Sequence, residues 1–138
     1  MIDVRVQSGD FDPGRQLDRL RELGRAAVVG SLGVVEAGAE VAGIVVEHYP
    51  AMARAELARI AEEAERRWAP AGIVLIHRHG RFAPGDRLLF IAVAAARRPD
   101  ALEALGYMAD EVRARGPFWR QELLAGGGSR WTDPAELP

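Results

Sequence analysis

A chain of 138 residues, 49% of them hydrophobic, with a formal net charge of −2, is long enough to form one compact domain around a core. It has no cysteine, and all 18 basic residues are arginines, so disulfides, thiolate metal sites and any mechanism that needs a lysine amine are excluded. The nearly neutral charge argues against a nucleic-acid-binding protein. No apolar run approaches the roughly 20 residues needed to span a bilayer, and the N-terminus lacks the basic and then apolar order of a signal peptide. We therefore expect a soluble cytoplasmic protein.

The first part of the chain predicts a strand, a helix and two further strands. Residues 2–6 alternate between polar and apolar side chains, as a strand does. Asp12 and Pro13 have the character of a helix N-cap and first helical position, and Gly24 ends that helix. Residues 26–32 and 41–46 are rich in small and β-branched side chains, so we expect two strands that pair as antiparallel neighbours.

The second part predicts two longer helices and four more extended segments. A helix begins after Pro50 and runs to Trp68, since its apolar residues recur at helical spacing. Strands are expected at residues 73–76 and 88–95, joined by a turn at 83–86, and a third helix at 99–114. Short extended segments follow at 118–124 and 129–132, around a run of three glycines. Strands grouped apart from helices favour an α+β fold in one domain spanning residues 1–138.

Six short motifs occur in a specific order between residues 26 and 132. They are Glu47-His48-Tyr49-Pro50 before a helix that ends in Arg67-Trp68, Ile76-His77-Arg78 with Gly80, Pro84-Gly85-Asp86, Arg98 with Glu103, Arg115-Gly116-Pro117-Phe118-Trp119, and Arg130-Trp131. In order and approximate spacing they resemble the large, catalytic subunit of molybdopterin synthase. Each motif alone is weak, whereas the six in order are specific for that family.

The resemblance implies a fold, an assembly and an activity. It implies an α/β hammerhead fold, with an antiparallel sheet and about three helices, in a homodimer that carries a ubiquitin-like sulfur-carrier small subunit at each end. The resulting heterotetramer is a sulfurtransferase of molybdenum cofactor biosynthesis. The thiocarboxylate on the carrier's Gly-Gly tail supplies sulfur to a cyclic pyranopterin monophosphate, a pterin phosphate, and the product is molybdopterin. Neither a metal nor another cofactor is implied for this step.

The resemblance also places the site residues, some of which depart from the family pattern. The family's two catalytic lysines fall on Arg113 and Arg120, and its substrate-binding residues on Arg97, Arg98, Gln121 and Glu122. Arg97 replaces a histidine, and Val34 and Glu36 stand where basic residues are usual. Arginine binds phosphate or carboxylate as well as lysine does, but it is a very poor nucleophile or base. The alternative is therefore a catalytically weak paralogue that binds the sulfur carrier or the pterin phosphate as a regulatory subunit.

Helix geometry gives an expectation that does not depend on the resemblance. Arg98 and Arg113 are 15 residues apart on one predicted helix, hence roughly 22 Å apart at 1.5 Å per residue. A site that uses both must draw them from two chains. An alternative role for Arg113 is to complement the helix C-terminus.

The remaining candidate residues favour structural roles. His48, His77 and His79 lack the helical His-x-x-x-His spacing of a zinc site, so structural hydrogen bonds are expected for the strand-end pair His77 and His79. Tyr49, Phe118 and Trp119 are interpreted as core or subunit-contact aromatics.

Overall fold

The computed structural model describes residues 1–36 and 38–132, which contain eight strands and three helices. The strands are β1 (Ile2–Gln7), β2 (Ala27–Val34), β3 (Val41–His48), β4 (Gly72–Arg78), β5 (Gly80–Phe82), β6 (Arg87–Ala95), β7 (Phe118–Leu124) and β8 (Ser129–Thr132). The helices are α1 (Pro13–Arg21), α2 (Pro50–Trp68) and α3 (Arg98–Arg115). None of the helices in these residues is both long and apolar enough to cross a membrane.

The strands form two four-stranded sheets, which we call sheet A and sheet B. Sheet A has the order β1-β4-β6-β2, in which β1 and β4 are parallel and the other pairs are antiparallel. Sheet B has the order β5-β3-β7-β8 and is antiparallel throughout. Together with the three helices they make the mixed α+β fold that the sequence predicted.

Sheet A is covered on both faces, and this explains why its central strands are almost wholly apolar. Val74 and Ile76 of β4 face α1, in a cluster with Leu20. Ile73 and Leu75, which point to the other face, pack with the apolar stripes of α2 and α3. The larger cluster on that second face also contains Ile44, Val46 and Phe118 from sheet B, so it joins the two sheets.

Local sequence signals set the helix ends. The side chain of Asp12 accepts a hydrogen bond from the backbone N–H of Arg15 at 3.3 Å, and Pro13 occupies the first position of α1. Helix α2 ends at Ala69, whose left-handed backbone (φ 46°) terminates the helix before Pro70. Helix α3 starts at Arg98 with Pro99 in its first turn.

The predicted pairing of residues 26–32 with 41–46 is wrong. Strand β2 pairs with β6, whereas β3 pairs with β5 and β7 in the other sheet. The chain does not turn back directly after β2, because Val35 extends the pairing to the turn before β6: its N–H donates to the Asp86 carbonyl at 2.9 Å, and its carbonyl accepts from Gly85 at 2.7 Å. The following residues carry the chain from sheet A to sheet B. The sequence also gave no sign of the three-residue strand β5.

Candidate anion-binding site

A cavity of about 610 Å³ lies where α3 and the two sheets meet. Its apolar wall comes from β2, β3 and β6, and its other side from the C-terminal half of α3 and from β7. The polar side chains that line it are those of Ser31, Glu36, His77, Asp110, Arg113, Arg120, Glu122 and Thr132. The cavity is therefore apolar at its back, with two guanidinium groups among the charges around it.

A tight connection after α3 brings Arg113 and Arg120 to the same cavity. The N–H of Gly116 donates to the Val112 carbonyl at 2.9 Å as the helix ends. A Cβ atom at Gly116 would lie 2.5 Å from that carbonyl oxygen, so the close approach requires glycine. Strand β7 then begins at Phe118, and because side chains alternate along a strand, Arg120 points to the same side as Phe118.

The charges around Arg120 keep it cationic. Its partial burial lowers the pKa of the guanidinium, and the nearby Glu122 carboxylate opposes this shift. Glu122 in turn accepts hydrogen bonds from Thr132 Oγ1 and Arg130 Nη2, both at 2.9 Å, and these hold its pKa below the usual range. Glu122 is thus ionised at neutral pH and already has partners across the β7-β8 pair. An arginine starts from a pKa above 12, so Arg120 stays charged.

The C-terminal end of α3 is anchored to α2 by Arg115. Its guanidinium contacts Glu56 at 2.7 Å, Glu63 at 2.8 Å and Glu111 at 3.0 Å. Tyr107 also donates to Glu63, at 2.6 Å. These contacts hold the helix end from which Arg113 extends, and they engage Arg115 outside the cavity.

The structure brings together only some of the site residues predicted from the sequence. Arg113, Arg120 and Glu122 line the cavity, and so do Val34 and Glu36. The side chain of Gln121 lies on the other face of β7, where it donates to Ser129 Oγ at 2.6 Å.

Arg97 and Arg98 do not line this cavity. Arg97 is the N-cap residue of α3 and Arg98 is its first residue, whereas Arg113 lies near the helix C-terminus. The expectation that Arg98 and Arg113 stand at opposite ends of one helix is confirmed.

The three aromatic residues interpreted as core or subunit-contact residues differ in their burial. Phe118 is a core residue, with 9% of its surface exposed. Tyr49 and Trp119 are not core residues, because 59% and 41% of their surfaces are exposed. Their rings contact each other edge to face, with the ring centroids 4.8 Å apart.

The sequence predicts a structural hydrogen bond for His77. The residue makes such a bond with the Arg78 carbonyl at 2.9 Å, but it also lines the cavity.

Fold and cavity define an α+β protein whose pocket is lined by two arginines and three acidic residues beside an apolar wall. A family model described as "MoaE protein" matches residues 6–115. The chain is 40% identical to the molybdopterin synthase catalytic subunit of Pseudomonas aeruginosa over 135 residues, which cover 94% of this chain and 89% of that protein.

Solved structures agree with this match. The molybdopterin biosynthesis MoaE protein from Burkholderia ambifaria superposes with a TM-score of 0.84 and is 33% identical, over 100% of this chain and 93% of that one. Molybdopterin synthase from Staphylococcus aureus superposes with a TM-score of 0.83 and is 25% identical, over 92% and 94% of the two chains. The chain belongs to the MoaE protein family.

Proposed function

We propose that this chain is the large subunit of a molybdopterin synthase and acts as a sulfurtransferase in the cytoplasm. It takes sulfur from the thiocarboxylated C-terminus of a ubiquitin-like small subunit and delivers it to cyclic pyranopterin monophosphate. The observation that carries the proposal is the cavity lined by Arg113 and Arg120 in a chain of this family. Both proposed guests carry an anionic group: the small subunit ends in a thiocarboxylate, and the pterin carries a phosphate. Guanidinium groups bind carboxylates and phosphates through paired hydrogen bonds.

The two arginines hold and orient the anions rather than forming covalent bonds to them. A guanidinium is not deprotonated near neutral pH, so neither Arg113 nor Arg120 serves as nucleophile or base. Orientation can still accelerate a reaction strongly, because it removes the entropic cost of bringing two groups together. The apolar back wall of the cavity strengthens this electrostatic contact by excluding water.

A second copy of the chain completes the site. Arg97 and Arg98 lie at the far end of α3 from Arg113, so in one protomer they cannot reach an anion held there. In the homodimer we propose, these two residues of the partner protomer face the cavity and bind the second anionic group. Two anions held side by side need more positive charge than Arg113 and Arg120 provide against Glu36, Asp110 and Glu122.

The test is conversion of cyclic pyranopterin monophosphate to molybdopterin by the purified chain with a thiocarboxylated small subunit. We expect turnover by the wild-type protein. Arg120→Met should lower kcat/KM by about 10-fold to 150-fold, because a hydrogen bond to a charged group contributes about 1.5–3 kcal/mol. Arg54→Met, on the exposed face of α2, is the matched control and should leave the rate unchanged.

Lysine variants separate this proposal from the alternative of a catalytically weak paralogue. The observation that favours the paralogue is the arginine at both family lysine positions, with Glu36 on the cavity wall. Activity that appears only in Arg113→Lys or Arg120→Lys would establish the paralogue and overturn the sulfurtransferase. If the wild-type chain bound neither the small subunit nor the pterin phosphate, both would be overturned.

A further inference from the structure

His77 occupies an unusual place for a buried histidine. It is the last inward-facing residue of β4 on the side of sheet A that faces α2, α3 and sheet B, following Ile73 and Leu75 on that face. Only 8% of its surface is exposed, and it lines the cavity that also contains Arg113 and Arg120. The residue is therefore part of the cavity wall and not of the outer surface.

One hydrogen bond of the ring fixes its tautomer. Nδ1 lies 2.9 Å from the carbonyl oxygen of Arg78, which can only accept, so Nδ1 carries the proton. Nε2 is then the unprotonated nitrogen with a free lone pair. In residues 1–36 and 38–132, His77 makes no other hydrogen bond, yet no buried side-chain nitrogen or oxygen there lacks a partner. Nε2 is therefore not sealed off, and the ring to which it belongs lines the cavity.

The ring is also held rigidly and kept neutral. It stacks on the ring of Phe118, with the ring centroids 3.6 Å apart and an interplanar angle of 6°. His48 stacks on His79 nearby, with their ring centroids 3.8 Å apart. Burial lowers the pKa of His77 to about 4; the Arg78 carbonyl opposes this shift, while Arg120 and the two other histidines add to it. At neutral pH the ring is an uncharged acceptor beside a cation.

We infer that His77 binds the guest directly, with Nε2 accepting a hydrogen bond from an N–H group next to the anionic group held by Arg113 and Arg120. The inference rests on the proposed function for its natural guests, since a glycine tail and a pterin both carry N–H donors. Cations cannot accept such a bond, and the carboxylate of Glu122 is already engaged by Thr132 and Arg130. The two other lining carboxylates, Glu36 and Asp110, belong to exposed residues, whereas His77 is buried. A site that supplies an acceptor to a specific N–H rejects anions that lack one.

Two small probes test this chemistry without the natural guests. N-acetylglycine presents an N–H beside a carboxylate, and N-acetylsarcosine presents the same carboxylate without the N–H. In long-range ¹H–¹⁵N spectra of the imidazole, we expect the wild-type chain to show His77 with a protonated Nδ1 and a bare Nε2. N-acetylglycine should move the Nε2 resonance, whereas N-acetylsarcosine should not. A protonated Nε2 at neutral pH, or equal responses to both probes, would overturn the inference.

Variants then assign the bond to one of the natural guests. His77→Phe keeps the stacked ring but removes the acceptor. It should either lower the affinity for the small subunit or raise the KM for the pterin, by about fivefold to tenfold. That change is expected for the loss of one hydrogen bond of about 1–1.5 kcal/mol. His77→Gln, which offers an oxygen near the position of Nε2, should recover most of that loss. His79→Phe is the control, because His79 stacks on His48 without lining the cavity, and should change neither value.

The outcomes separate the inference from the proposed function. Unchanged affinity and unchanged KM in a folded His77→Phe variant would overturn the inference alone. An equal loss in the Phe and Gln variants would mean that the ring has a structural role only, and would also overturn it. A wild-type chain that discriminates between the two probes but makes no molybdopterin would overturn the proposed function and leave the acceptor role of His77 standing.

Discussion

Sheet A and sheet B have the same number of strands but opposite characters. The four consecutive residues from Ile73 to Ile76 in β4 are fully buried, and residues 90–95 of β6 are at most 2% exposed. Sheet B has one buried face, with Ile44 and Val46 on it, and one open face on which Trp119 and Trp131 are 41% and 60% exposed. Sheet A is covered by helices on both sides, whereas sheet B is covered on one.

The two sheets also differ in where they carry charged side chains. The doubly covered centre of sheet A, residues 73–76 and 88–95, contains no charged side chain, because a buried charge without a partner costs several kcal/mol. Sheet B carries Arg120 and Glu122 at its inner face, where the cavity supplies space and partial solvation. The cavity lies at the border: one wall is the apolar sheet A, and the charged side is formed by sheet B together with the end of α3.

The largest expected effect contrasts two leucines, one in each sheet. Leu75→Ala in β4 should lower the free energy of unfolding by about 2–5 kcal/mol, because a fully buried leucine loses its transfer free energy and leaves a void. Leu123→Ala in β7 should cost about 1 kcal/mol or less, since this residue is partly exposed. Chemical denaturation of both variants measures the difference. Equal losses would contradict the distinction between the two sheets.

His77, at the border between the sheets, should make stability depend on pH. Its pKa is about 4 in the folded state against 6.5 for an unperturbed histidine, so between these values the unfolded chain binds a proton that the folded chain does not. The stabilisation is complete above pH 6.5 and is lost as the pH falls to 4, by up to about 3 kcal/mol. Between pH 7 and pH 4 the free energy of unfolding of the wild type should fall by up to about 3 kcal/mol more than that of His77→Phe, as measured by chemical denaturation. An equal change of stability in the two proteins over this pH range would contradict the lowered pKa of His77.

A smaller effect is expected at Gly43, where β3 is packed closely between its neighbours in sheet B. A Cβ there would lie 2.6 Å from the carbonyl oxygen of Phe82 in β5, so Gly43→Ala must displace backbone and should cost about 1–3 kcal/mol. Gly126→Ala is the control, because a Cβ at that position meets nothing within 4 Å. Thermal unfolding of the two variants provides the comparison. A loss of stability in Gly126→Ala but not in Gly43→Ala would contradict the expected clash with the Phe82 carbonyl.

Some features of this molecule could be predicted from the sequence because they depend on local patterns. The helical spacing up to Trp68 and the proline at the start of α3 were sufficient to place those helices. The pairing of β2 could not be predicted from adjacency in the sequence, because its partner β6 lies more than 50 residues further along the chain. Arg113 and Arg120 were found through the resemblance. The cavity position of His77 was missed, because it depends on which face of β4 meets β7, a long-range contact that no local spacing reports.

The smallest effect concerns the ion cluster that fixes α3 and lies outside both sheets. Hydrogen bonds from Arg115 and Tyr107 lower the pKa of Glu63 to about 2, below the value of an unperturbed glutamate. The unfolded chain therefore takes up a proton first, and the stabilisation is present above about pH 4.5 and lost as the pH falls towards 2. Glu63→Gln should lose less stability than wild type over this interval, as measured by urea denaturation. Because the cluster is solvent-accessible, added salt should shrink the difference. The variant Glu62→Gln, one residue earlier on the exposed face of α2, should follow the wild-type curve. Identical curves for wild type and Glu63→Gln would show that the cluster does not hold the end of α3 in solution.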